Sequence, residues 1–264
     1  MNKRVKSKIS CYNFLPENHR GQVTIFIIIA IILIVAVAFY FVLKDKADTD
    51  EPIYIESAQV YNFVQECLET TSKQSLYFIG LHGGYFIPPE KSTAYGVPYY
   101  IYLGDYLFPH INKIEEEISI FVESSLTLCT EDFEDFGSVV INQSEVRAIT
   151  SVEGEFVSIK VNYPITIQKG ESVSRIEDFE VEIPVRLSVL YNASKFILDS
   201  HFENSGELCL SCLLEFQKEN SLQINMQSNK ETIVYEIVDT LSTLEIIKDE
   251  FEPENYKFRF AIKY

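Results

Sequence analysis

Cys209-Leu-Ser-Cys212 is the one spacing in this 264-residue chain that suits redox or metal chemistry. Zinc would need a second pair of ligands, and only Cys67, Cys129 or His201 could add to it. Thiol exchange by a Cys-x-x-Cys pair needs the motif at a helix N-terminus after a strand, in an alternating βαβ context that this sequence does not show. The pair is therefore expected as a structural disulfide, either local or exchanged with Cys67 and Cys129, and no metal or cofactor is expected. Cys67 and Cys129 themselves each fall on an apolar helical stripe. Joined in an oxidising compartment they would close a loop of roughly 60 residues, worth about 4 kcal/mol by loop-closure entropy. The alternative is two buried free thiols. Four such cysteines allow three full connectivities.

Other reactive side chains do not converge. The acidic run Glu131, Asp132, Glu134 and Asp135 reads as a solvated cap after a helix, and Glu177-Asp178-Phe179-Glu180 lies in a strand pattern. His82, His110 and His201 are scattered, and His82 beside Gly83-Gly84 reads as a turn residue. No GxSxG elbow, HExxH helix, phosphate-binding loop or dinucleotide fingerprint occurs, so no residue is assigned a catalytic role. Asn142-Gln-Ser144 and Asn192-Ala-Ser194 match the N-glycosylation acceptor pattern.

Residues 80–109 hold five of the ten glycines and six of the sixteen tyrosines, namely Tyr85, Tyr95, Tyr99, Tyr100, Tyr102 and Tyr106. Gly-Gly admits positive φ and Pro88-Pro89 stiffens the exit, so a shaped excursion is expected. Two uses of the tyrosines stand open. They could form a recognition surface for a glycan or protein, or they could lie over the neighbouring helices and complete the core.

The elements that must carry these groups follow from charge and period. Up to Gly21 the chain has five Lys/Arg against Glu17, a balance of +4; with −17 for the whole chain, the remainder carries −21. Such acidity disfavours nucleic acid as a partner, because phosphate binding needs a positive surface. Val23 to Leu43 contains no charge, and at about 1.5 Å per residue it would span roughly 30 Å, the thickness of a bilayer core. A transmembrane helix over 22–43 is expected, with a basic cytoplasmic leader (1–21) and interfacial aromatics Phe39, Tyr40 and Phe41. The charge bias places the N-terminus inside and the acidic body outside. A polar linker over 44–52 follows, and its acidic residues lack the Gly turn and terminal Glu of a calcium loop.

The leader ending Arg20-Gly21, followed by Gln22 and Thr24 opening an apolar helix, resembles the archaeal class III signal peptide, a variant of type IV prepilin leaders. The resemblance covers about the first 45 residues. It implies cleavage between Gly21 and Gln22 on the cytoplasmic side, loss of Cys11 with the leader, and retention of the helix as anchor and filament core. At the fifth mature position, where such pilins commonly carry Glu, this chain has Phe26. The anchor reading therefore stands ahead of the filament reading.

Residues 53–264 are expected as one extracytoplasmic domain of α+β class, with helices packed on a mostly antiparallel sheet. Its helical half (53–136) has one apolar stripe through Val60, Val64, Cys67, Leu68 and Leu76, and a second through Ile114, Ile118, Val122 and Cys129. Its β-rich half (137–264) alternates with period two at Val157–Val161, Phe179–Val185, Leu222–Met226, Ile233–Ile237 and Phe258–Tyr264. Gln168 to Glu171 reads as a turn, and 187–202 as a further helix. The expected function is a single-pass, membrane-anchored structural or interaction protein of the cell envelope, pilin-like in plan and not an enzyme. Its expected partners are the bilayer, an envelope protein or glycan, and further copies of itself. The alternative is a membrane-tethered extracytoplasmic enzyme or thiol-redox protein using Cys209 and Cys212.

Overall fold

A computed structural model describes residues 20–47, 54–131, 133–137, 139–203, 209–229, 231–244 and 253–264. The leader over 1–19, Cys11 and linker residues 48–53 lie outside the described residues. The chain divides into two compact units, 1–52 and 53–264.

The described residues of the first unit form one helix, α1 (Arg20–Ala47), with Gly21 and Gln22 in its first turn. Its side chains are described from Phe26 to Phe41, and every one of them is exposed. From Phe26 to Phe41 the helix carries no charged side chain on any face. Among the described residues no helix is long and apolar enough to cross a membrane; in α1 those side chains span only 26–41.

The second unit is α+β, with helices packed on mixed sheet structure. Helices α2 (Tyr54–Leu81) and α3 (Ile111–Cys129) pack against each other through the expected stripes. Val60, Val64, Leu68, Ile114, Ile118, Val122 and Leu126 are all fully buried, at the i, i+4 spacing that places side chains on one helical face.

Two sheets complete the body. In the first, β5 (Val157–Lys169) is central, β6 (Ser172–Ile183) lies on one side, and β3 (Val140–Gln143) and β4 (Arg147–Val152) share the other. Ile159 sits opposite Thr150 on β4 and Val181 on β6, which sets the register of the buried face. The hairpin from β5 to β6 turns through Gly170 and Glu171, with Gly170 at φ +60°. Pro164, which has no N–H for the ladder, falls where the β5 register shifts between Asn162 and Ile165.

Free edges of this sheet are met by the helix pair. Glu115 and Glu123 of α3 accept the backbone N–H groups of Val152 and Ala148 at 2.9 and 2.8 Å along β4, with Ser119 and Thr150 hydroxyls 2.8 Å apart between them. On β6, Gln65 of α2 donates to the Glu180 carbonyl at 2.8 Å. These contacts occupy groups that an open strand would offer to another chain.

The second sheet has the order β2-β1-β9-β8-β7. It comprises β1 (Tyr99–Tyr102), β2 (Asp105–Tyr106), β7 (Leu222–Asn229), β8 (Thr232–Leu244) and β9 (Glu254–Lys263). All pairings are antiparallel except β1 with β9, which is parallel. Helix α4 (Leu187–Glu203) packs on β8 and β9, and α5 (Leu210–Asn220) on β7 and α4. The β-rich half thus holds two helices. The second was not expected, because 11 residues beginning Leu-Ser-Cys show too little period to stand out from a loop.

Candidate functional site

The tyrosine-rich segment begins where α2 ends. His82 caps that end, with Nδ1 2.8 Å from the Phe78 carbonyl and its ring stacked on Phe78 at 4.1 Å. Gly83 and Gly84 follow at positive φ, and a Cβ on Gly83 would meet the Arg259 carbonyl at 2.5 Å. The segment then contributes a hairpin: β1 and β2 are joined by Leu103 and Gly104, both at positive φ, as a two-residue turn requires.

This placement separates the six tyrosines. Tyr100 is fully buried, donates from its hydroxyl to the Gly83 carbonyl at 2.8 Å and stacks on Phe260 at 4.9 Å, which stacks on Tyr235 at 5.1 Å. Burial pushes its phenol well above the usual tyrosine range. Tyr106 packs edge-on against Phe202 of α4 at 5.4 Å, and Tyr85 is half-buried in the core margin. Both phenols are raised, first by burial and then by Asp199 for Tyr106 and Glu117 for Tyr85. Tyr99 and Tyr102 are half-buried neighbours with ring centroids 5.3 Å apart, and the ammonium groups of Lys91 and Lys263 lie 5.2 and 5.4 Å from the Tyr102 ring. Tyr95 stands out at 91% exposed. Tyr100 is therefore core and Tyr85 packs at its margin, Tyr106 packs on Phe202 with 43% of its surface exposed, and Tyr95 is the most exposed of the six.

A groove of about 540 Å³ runs beside β4, β5 and β6 and is lined by Tyr61, Arg147, Lys160, Asn162, Asp178 and Glu180 among others. Its polar groups are paired: Lys160 lies 3.4 Å from Glu180, Asn162 donates to Asp178 at 2.9 Å, and Arg147 pairs with Glu145 beside the groove at 2.9 Å. Of the acidic run after α3, Glu131 is exposed and Asp132 lies outside the described residues. His110 is exposed. His201 is buried, with Nε2 2.7 Å from the Tyr235 hydroxyl and Nδ1 2.7 Å from the Tyr264 hydroxyl. No group of acidic, Cys or His side chains able to hold a metal occurs among the described residues.

Among the described residues the most deeply buried charged pair is Arg186 with Asp239, whose carboxylate is fully buried at the register shift of β8. Arg186 Nε donates to Asp239 at 3.0 Å, its other arm reaches the Asn220 carbonyl at 3.2 Å, and the Leu241 N–H donates to Asp239 at 3.0 Å. This cluster ties the start of α4 to the end of α5 and to β8. It is a structural tie that sequence reasoning missed, since Arg186 and Asp239 stand 53 residues apart.

The cysteines pair as Cys67–Cys129, with Cα atoms 5.9 Å apart, and Cys209–Cys212, with Cα atoms 5.3 Å apart. The first closes 62 residues and staples α2 to α3 through the core, worth about 4 kcal/mol by loop closure. The second closes only three and is worth about 2 kcal/mol on the same reckoning. It lies at the N-terminus of α5, where Cys209 is the N-cap and its sulfur accepts the Cys212 N–H at 3.3 Å. That is the helical position thiol chemistry uses, although α4 and not a strand is the described element before it.

The two sequons differ in setting. Asn142 and Ser144 are exposed at and just beyond the edge strand β3. Asn192 is exposed on α4, but Ser194 is fully buried with its hydroxyl bonded to the Leu190 carbonyl. Comparison with protein-family models, with curated proteins and with solved structures gives no match to this chain.

Proposed function

We propose that this chain is a single-pass, membrane-anchored protein of the cell envelope that displays its α+β body outside the cytoplasm as a structural or interaction module. The observation that carries this reading is α1. Every described side chain from Phe26 to Phe41 is exposed and uncharged, within a run free of charge from Val23 to Leu43. An apolar surface of that extent needs a bilayer or a protein partner to cover it. The basic residues before the run support an inside N-terminus, and two disulfide pairs in the body suit an oxidising compartment. Arg20-Gly21-Gln22 supports removal of the leader by a prepilin-type peptidase. With Phe26 at the fifth mature position, anchoring is proposed ahead of filament assembly. The surface offered to an envelope protein or glycan is Tyr95, Tyr99 and Tyr102 with Lys91 and Lys263.

Expression in an archaeal membrane, followed by protease treatment of intact cells and mass determination of the mature N-terminus, tests the reading. The expected result is release of the body by external protease from a chain that begins at Gln22. A body protected until the cells are lysed would overturn the topology, and a mature chain beginning at Met1 would overturn the cleavage.

A further inference from the structure

We propose that Cys209 and Cys212 form a thiol–disulfide exchange centre for peptide or protein dithiols, with Cys212 as the sulfur attacked and Cys209 as the sulfur released. Three independent features of the pair support the assignment.

The first is the asymmetry of the two sulfurs. Cys212 is an exposed residue and Cys209 is half-buried. Cys209 Sγ accepts the Cys212 N–H at 3.3 Å and lies 3.5 Å from Ser211 Oγ, at the N-terminus of an 11-residue helix. Free N–H groups there stabilise negative charge, and the better-stabilised thiolate leaves faster in exchange. Access and leaving ability thus point to the same polarity.

The second is that contacts other than the bond hold the helix. Helix α5 is held by buried Leu213, by Phe216 stacked on Phe196 of α4 at 4.6 Å, and by Gln217 accepting the Ile224 N–H at 2.8 Å. A bridge closing three residues adds about 2 kcal/mol to these contacts, about half of what the 62-residue bridge contributes. An exchange centre must keep its structure in both oxidation states, and none of these contacts is made by a sulfur that reduction would change. Cys67–Cys129 is the contrast, with Cys67 only 4% exposed between two core helices.

The third is the ground around the pair. Leu210 and Leu214 lie one turn apart on α5 and are 59% and 67% exposed. On the helix that begins at the pair, though on a different face from Cys212, they offer exposed apolar surface that a peptide can cover and a small thiol cannot.

A substrate thiolate attacks Cys212 Sγ; the Cys209–Cys212 bond breaks and its electron pair leaves on Cys209 as thiolate, giving a mixed disulfide on Cys212. The second substrate thiolate attacks the substrate sulfur of that mixed disulfide and releases the Cys212 thiolate. The substrate dithiol is oxidised by two electrons to a disulfide, Cys209 and Cys212 are reduced to a dithiol, and the two protons lost by the substrate end on the two protein thiols. A second disulfide, as electron acceptor, restores the pair by the reverse route.

The test uses the full chain in detergent with Cys11→Ser as background. Excess one-cysteine peptide thiol is added, the reaction is quenched by alkylation, and adducts are mapped by mass spectrometry. The expected result is a mixed disulfide on Cys212 at least tenfold over Cys209, formed while Cys67–Cys129 stays closed. A two-cysteine peptide should then be oxidised in a 1:1 ratio to pairs reduced, with the far-UV circular dichroism unchanged. The double variant Cys209→Ser/Cys212→Ser should keep that spectrum and lose the exchange. Adducts chiefly on Cys209 would overturn the polarity. Reduction of both disulfides at equal rates, loss of helical signal on reduction, or a double variant that does not fold would each make the pair structural and overturn the proposal. None of these outcomes depends on where α1 resides, so the topology reading stands or falls separately.

Discussion

At the scale of single residues, the side chains with the strongest electrostatic roles hold the body together. Burial alone would lift the Asp239 carboxyl, but hydrogen bonds from Arg186, Ser242 and the Leu241 N–H outweigh it and hold the group below the usual carboxylate range. The sign of its linkage follows. A carboxyl whose folded value is depressed contributes its stability above the unfolded value of about 3.9, and loses it as pH falls through the folded value. Asp239→Asn should therefore destabilise the body at pH 7 by about 3 kcal/mol, because the buried guanidinium of Arg186 loses its counter-charge. It should also flatten the fall in stability below about pH 4. Glu236, held low by Arg259 despite its own burial, titrates in the same direction and remains in the variant. Urea midpoints at pH 7, 4 and 3 for both proteins check this, and parallel pH profiles would remove Asp239 as the source of the slope.

At the scale of elements, the contact between the end of α2 and β9 joins the helix pair to the second sheet. Gly80 makes it close: a Cβ there would run into the Lys257 carbonyl and approach the Tyr256 ring at 3.3 Å. Because the obstructing atom is backbone in a central strand, it cannot rotate away. Gly80→Ala should cost about 2 kcal/mol by overpacking, although the same change gains roughly 1 kcal/mol in an ordinary helix interior. A variant more stable than wild type by chemical denaturation would show that β9 leaves room for a methyl group at this position. The two long helices and the strands β5 to β9 were legible because each carries a sustained period that packing does not override. Helix α5 and the β1–β2 hairpin were not. The first is too short to display its stripe, and the second is a four-residue run, Tyr99 to Tyr102, between Pro98 and Leu103-Gly104, whose partner β9 lies some 160 residues away. The glutamates Glu115 and Glu123 were legible as a polar helix face, yet not as caps on β4, since that use depends on a register only the fold supplies. For the candidate site, stripes and spacing offered Cys67–Cys129 and a local Cys209–Cys212 pair but left their exchange open, and the fold selects the two pairings. The helix-terminal setting of Cys209 does not, because it rests on α5.

At the scale of the whole molecule, the order of the strands makes the last ten residues the keystone. Strand β9 lies between β8 and β1, so the C-terminal segment is paired on both sides and carries Tyr256, Phe258, Phe260 and Ile262 into the core. Tyr264 adds a hydroxyl contact to His201 on α4, although it is 49% exposed. Tyr100 and Tyr235 stack on either side of Phe260, so its loss would strand two buried phenols as well as two strand edges. Burial already lifts the Tyr100 and Tyr235 phenols, a sign of how little water reaches this layer. Deleting 256–264 removes the central strand of one sheet rather than a tail, and each large apolar side chain lost from such a core costs about 3 kcal/mol. Three or four of them equal the whole stability of an ordinary domain. The truncated chain should show no cooperative melting transition, whereas deleting Tyr264 alone should leave one, lowered by the His201 contact. Retained cooperativity in the longer truncation would mean that α2, α3 and the β3–β6 sheet fold without their neighbour, and that the body is two folding units rather than one.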